Sequence, residues 1–167
     1  AARGQVAQAS GEGAVAVGNL AIASQETSIA LGAGSEATAQ GAIAIGGDGD
    51  DARVEGAQAT GQNAISIGVD ALAQAENAVA IGIDAQASGI NATAIGNFAI
   101  AADEGSTAIG DNSLAIGADT IALGTFSIAN GEGAVARGAD AQAQAADAVA
   151  IGQFAAATGE RSLAFGS

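Results

Sequence analysis

Small and large apolar residues alternate along this chain in short phrases that close on glycine. They read AVAVG (14–18), SIALG (28–32), AIAIG (42–46), AISIG (64–68), AVAIG (78–82), ATAIG (92–96), STAIG (106–110), TIALG (120–124), AVARG (134–138), AVAIG (148–152) and SLAFG (162–166). The closing glycines stand fourteen residues apart, with Gly4 one step ahead of Gly18, except for Gly46 and Gly68, which are 22 apart. That gap holds one ordinary coil plus an eight-residue insertion at 47–54. A repeat of this kind marks a solenoid, and the whole of 1–167 reads as one domain of about eleven coils.

Let the residue after each closing glycine be position 1 of a coil and the next closing glycine position 14. Positions 10 and 12 are small, as in Ala78 and Ala80, while positions 11 and 13 are large and apolar, as in Val79 and Ile81. This period of two predicts a short strand with two unlike faces. Positions 3 and 5 form a second small pair, for example Ala71 and Ala73 or Ala85 and Ala87. Each coil is therefore expected to hold two strands, joined by turns with Gly at position 14 and often at position 7 (Gly11, Gly61, Gly89, Gly117, Gly131, Gly159). These glycines are expected at positive φ. Helix is excluded, because Gly at this spacing would cost it about 1 kcal/mol per residue and the period is not 3.6. The prediction is an all-β, single-stranded solenoid of fourteen-residue coils, with strands in parallel register about 4.8 Å apart and a rod on the order of 50 Å long.

Two strands facing each other across one thin coil leave room only for small side chains, so positions 3, 5, 10 and 12 are expected inside. The large residues then point outward as one stripe: Val15, Val17, Ile29, Leu31, Ile43, Ile45, Ile65, Ile67, Val79, Ile81, Ile95, Ile109, Ile121, Leu123, Val149, Ile151, Leu163 and Phe165. An apolar patch of that extent marks an interface. Closed rotational symmetry about the rod axis is expected, because open lateral association would run on into aggregates. The stripe by itself does not choose between two-fold and three-fold. Arg137 stands at position 13 within it, and pairing with a neighbouring chain's Asp140 or Glu132 is expected there.

Composition narrows the chemistry. The chain has 26 Gly, four Lys+Arg against eighteen Asp+Glu, a formal charge of −14 and a pI near 4.1. The four cations, Arg3, Arg53, Arg137 and Arg161, are all arginine, and there is no His or Cys. Without His, Cys or Lys, most general-base and activated-nucleophile schemes lose their parts, so no enzyme and no cofactor are expected. The negative charge repels phosphate backbones and anionic lipid surfaces, which argues against nucleic acid and against direct membrane contact. No apolar run approaches the ~18 residues of a membrane span. The absence of an initiator Met and of a signal peptide suggests a piece of a longer protein.

Eleven phrases at the same coil position, built around [AS]-[VIL]-A-[IL]-G with single departures in several and spread over essentially the whole chain, resemble the YadA-like head repeat of trimeric autotransporter adhesins. The resemblance implies a left-handed parallel β-roll assembled as a homotrimer. It also implies display on the surface of a Gram-negative bacterium, through a stalk and an outer-membrane anchor C-terminal to this segment. The implied partners are a host matrix protein or host cell receptor. The alternative is a self-association or spacer module in which like heads on other cells hold each other. One departure concerns collagen: in collagen-binding heads the phrase begins Asn-Ser, whereas Asn63, Asn77 and Asn91 are each followed by Ala.

Three further features were weighed. The insertion contains Gly46-Gly47-Asp48-Gly49-Asp50-Asp51, one copy of a calcium β-roll pattern, with Asp48, Asp50 and Asp51 as weak candidate ligands against the reading as a plain acidic loop. Apolar residues cluster at positions 2, 4 and 6 of later coils, namely Phe98, Ile100, Leu114, Ile116, Phe126, Ile128 and Phe154, and form a candidate ligand patch. Acidic residues recur at position 8 (Glu12, Glu26, Glu76, Glu104, Glu132, Glu160), where a solvated edge that keeps the rod soluble is the expected reading. An ice-binding solenoid is disfavoured because Thr forms no ladder, and a calcium-dependent toxin repeat because the aspartate-rich pattern occurs once.

Overall fold

In the computed structural model, which describes residues 1–49 and 55–166, every regular element is a strand. Among the described residues, twelve strands build one parallel sheet, from Ala2–Arg3 and Val15–Val17 through to Val149–Ile151 and Leu163–Phe165. Eleven two-residue strands, from Gln8–Ala9 to Ala156–Ala157, build a second. The first, wider sheet carries positions 11 to 13 and the narrower one positions 4 and 5. The chain alternates between the two sheets, so each coil contributes one strand to each, and the fold is a parallel β-solenoid.

Register is uniform. Val79, Ala80 and Ile81 lie beside Ile65, Ser66 and Ile67 on one side and Thr93, Ala94 and Ile95 on the other. The same stacking crosses the insertion, where Ile43 lies beside Ile65 and Glu36 beside Gln58. Asp48 N–H still donates to the Ala33 carbonyl at 2.9 Å, as Asp84 does to Val69 at 3.0 Å, and Ala57 resumes the regular pattern by donating to Gly46 at 3.3 Å. The extra residues of this coil therefore fall between Asp48 and Ala57, two residues later than the expected 47–54. The turn before the narrow sheet is completed through Asp48 first, and the excess chain leaves after it.

The interior is built from methyl groups. Ala71, Ala73, Ala78 and Ala80, at positions 3, 5, 10 and 12 of one coil, have no exposed surface, and every buried hydrophobic residue is an alanine. The largest fully buried side chains are Thr120 and serines. Their hydroxyls are satisfied locally: Ser28 donates to the Gln25 carbonyl at 2.6 Å, Thr120 to Gly117 at 2.7 Å and Ser35 to Gly32 at 2.9 Å. A hydroxyl bonded to the carbonyl three residues back replaces a methyl without leaving an unpaired polar group. Ser162 Oγ, in the last coil, is the exception among the described residues, buried and without a partner.

The turns depart from expectation in one respect. Position-14 glycines do have positive φ, such as +137° at Gly82, and a Cβ there would run into the Gly96 carbonyl of the next coil. The position-7 glycines do not have positive φ; they are small because a Cβ on Gly61 or Gly89 would meet the carbonyl oxygen of Ala75 or Asp103. The left-handed residues are instead at positions 2 and 9. All sixteen non-glycine residues with positive φ occupy these two columns, between +52° and +60°.

Candidate binding surfaces

The wide sheet presents the stripe. Its alternation of Ala with Val, Ile or Leu puts each alanine inside and each larger residue outside, and uniform register stacks the larger ones into two columns. Position 11 runs through Val15, Ile29, Ile43, Ile65 and Val79, and position 13 through Val17, Leu31, Ile45, Ile67 and Ile81. These side chains are half-buried to exposed, with Val17 40% and Phe165 73% exposed. Thr93 and Thr107 replace the aliphatic residue at position 11 in two successive coils. Arg137 is exposed between Leu123 and Ile151 in the position-13 column, and it makes no ion pair with a described residue of its own chain. Arg3 stands in the same column beside Val17, a placement that counting back from Gly4 would have revealed.

The narrow sheet carries the candidate ligand patch. Ile100, Leu114 and Ile128 stack directly on one another at position 4, half-buried, and Ile116 at position 6 is exposed beside them. Phe98, Phe126 and Phe154 are not in that row. They lie on the adjoining turn, 53%, 52% and 67% exposed, and are separated from each other by Asn112 and Asp140. The sequence grouping of seven residues thus resolves into an aliphatic row on a sheet face and an aromatic row on an edge.

The opposite turn is polar. Glu12, Glu26, Glu76, Glu104, Glu132 and Glu160 are all exposed along it. Next to them at position 9, Asn63 donates from Nδ2 to Asn77 Oδ1 at 3.4 Å, and Asn77 to Asn91 Oδ1 at 3.1 Å. This asparagine ladder escaped the sequence reading, although the recurrence of Asn, Asp and Gly at one coil position is the usual signal of a left-handed residue. Of the calcium candidates, Asp48 is exposed, while Asp50 and Asp51 lie outside the described residues. Among the described residues, no group of three or more acidic side chains could hold a metal ion.

The described residues form a stack of similar coils with an apolar face and a largely polar edge, which defines a β-solenoid repeat protein. The chain belongs to the YadA head domain repeat family, whose model matches residues 4–21, 9–35, 23–48, 59–85, 87–113, 115–141 and 143–167. Among solved structures it is similar to the collagen-binding domain of the Yersinia adhesin YadA, with 28% identity and a TM-score of 0.62 over 75% of this chain. The chain covers 66% of that domain. Among curated proteins there is no match.

Proposed function

We propose that this chain is the head of a bacterial cell-surface adhesin, displayed through an anchor elsewhere in the protein. It works as a homotrimer whose wide sheets close around the rod axis. The observation that carries the oligomer is the pairing of an alanine interior with a mostly aliphatic exterior, broken by polar side chains only at Thr93, Thr107, Arg3 and Arg137 among the described residues. Burying a Val or Ile is worth about 1.5–3 kcal/mol, against roughly 0.8 kcal/mol for a methyl-sized increment, so most of the hydrophobic stabilisation is available only on association. Three-fold symmetry rests on the resemblance to trimeric autotransporter heads.

The ligand surface is the outward face of the narrow sheet, centred on Ile100, Leu114, Ile116 and Ile128. One trimer presents three copies of it, and many trimers on one cell add avidity to contacts that are individually weak. A host matrix protein is the ligand class, and collagen is the first member to try because the structural neighbour is a collagen-binding domain. The test is capture of the purified trimer on immobilised collagen and other matrix proteins, with a Leu114→Asp variant alongside. Binding by the parent and loss in the variant, with the trimer intact, supports the reading. Failure of cells lacking the head to clump, with matrix attachment unchanged, supports self-association instead.

A further inference from the structure

We propose that the position-2 edge is a seam between protomers, in which Phe98 and Phe126 of one copy seat against Gly105 and Gly133 and the carboxylates beside them on the position-9 edge of the next. The proposal rests on the rotational oligomer described above and goes further by assigning the edges that meet.

Positions 2 and 9 have the same left-handed backbone, which crowds any ordinary side chain against the following carbonyl, so the local conformational cost is the same in both. They are filled very differently. Position 9 takes Asn, Asp and Gly, with Thr27 and Arg161, and no large apolar residue. Position 2 takes Gly, Asp or Asn in six coils (Gly34, Asp48, Asp70, Asp84, Asn112, Asp140) but Val6, Leu20, Phe98, Phe126 and Phe154 in the other five, these all between 43% and 67% exposed. A phenylalanine on a strained backbone with half its surface in water gains little from its own chain. What compensates lies outside it.

The filling of the two edges identifies that occupant as a second copy. Phe98 shares a coil with Gly105, Phe126 with Gly133 and Val6 with Gly13, whereas coils with Asp84 or Asn112 at position 2 carry Asn91 or Asp119 at position 9. Leu20, beside Thr27, and Gly34, beside Gly41, depart from this rule. Phe154 shares its coil with Arg161, whose guanidinium suits the face of a phenyl ring. In a closed assembly about the rod axis every copy stands at the same height. Position 2 of one coil then meets position 9 of the same coil in the neighbour, a large residue opposite a glycine over which the carboxylate of the next coil lies, Asp119 over Gly105 and Asp147 over Gly133. Beside Gly133 is an open hollow of ≈ 340 Å³ lined by Asp119, Glu132, Gly133, Ala146 and Asp147. Its three carboxylates are on exposed residues and offer negative charge to the positive rim of an aromatic ring. Position 2 also follows position 13 through only the closing glycine and one further residue, so the seam continues the stripe around the edge of the roll.

The absence of cysteine makes the seam directly testable. A Phe126→Cys, Glu132→Cys double variant, oxidised with copper-phenanthroline, is expected to run as a covalent trimer on a non-reducing gel, because Glu132 is exposed on the hollow beside Gly133, and a Phe126→Cys, Gln142→Cys control as a monomer. In parallel, Phe98→Asn, Phe126→Asn, Phe154→Asn places at all three sites a residue that favours left-handed backbone. It should fold at least as well as the parent and dissociate at a concentration at least tenfold higher. A double-cysteine variant that is trimeric yet gives no interchain disulfide, or an asparagine variant with unchanged dissociation, overturns the seam and leaves the trimer standing. An asparagine variant that keeps its trimer and loses matrix binding also overturns it, by returning the phenylalanines to the ligand surface. A monomeric parent overturns the oligomer and the seam together.

Discussion

A methyl group is the largest apolar side chain the interior of this molecule accepts, and that limit follows from two strands facing each other in a fourteen-residue coil. Ala80→Leu is therefore expected to destabilise the roll by about 1–3 kcal/mol or more through overpacking, read as a lower thermal midpoint by circular dichroism. Gln86→Leu, on the outward face of the narrow sheet, should leave the midpoint nearly unchanged. Arg137 is the other informative residue, a charge set in an aliphatic column with no ion-pair partner among the described residues of its own chain. Pairing with Asp140 or Glu132 of a neighbouring protomer predicts that Arg137→Ile, which strands that carboxylate, lowers stability by about 1 kcal/mol or more, roughly 2–4 °C in the midpoint. A higher midpoint would mean that the arginine is an unpaired charge that the apolar column tolerates at a loss. The small-inside, large-outside assignment of each side chain was legible in the sequence because strand alternation is a local property. The left-handed residues were not, since Val6 and Phe98 carry none of the composition that normally marks such a backbone.

At the scale of the coil, stability is a matter of nearest neighbours. Each strand bonds only to the equivalent strands one coil above and below, at an interval of fourteen residues or, across the insertion, 22. Removal of one whole coil, residues 69–82, should therefore preserve register, the β-sheet spectrum and oligomeric state, whereas removal of seven residues should abolish them, because it sets position 2 over position 9. Gly82→Ala is predicted to be severe, since the added Cβ has nowhere to go but the Gly96 carbonyl. Hydrogen exchange should then show protection lost in the adjoining coils and kept at the far ends of the rod. An even loss along the whole chain would show that the coils are coupled over longer range than their contacts suggest. The coil length, the two strands and the presence of an insertion could all be read from the spacing of glycines. The point where the extra chain leaves the coil could not, because it depends on which turn hydrogen bonds are completed first, at Asp48 and at Ala57.

For the whole molecule, the balance between interior and surface decides behaviour. An alanine core offers little hydrophobic stabilisation, and the aliphatic stripe offers much, so folding and assembly are expected to be one process. Light scattering over a dilution series should give a constant trimer mass. Ile67→Asp together with Ile81→Asp, at two adjacent heights of the stripe, should yield a monomer that has also lost most of its β-sheet signal. A stable, folded monomer in that variant would show that the roll stands without its neighbours. What the sequence determined by itself was the repeat, the strand alternation, the side facing the core and hence the existence of an apolar stripe, because each depends on residues within one coil or one coil apart. Only the tertiary structure decided that positions 2 and 9 share one backbone conformation, that the phenylalanines stand apart from the aliphatic row, and that a hollow at Gly133 lies on the other edge of Phe126's own coil. Those relations arise when the coil closes on itself, which sets φ at the turns and brings to one height residues that the linear pattern leaves unrelated.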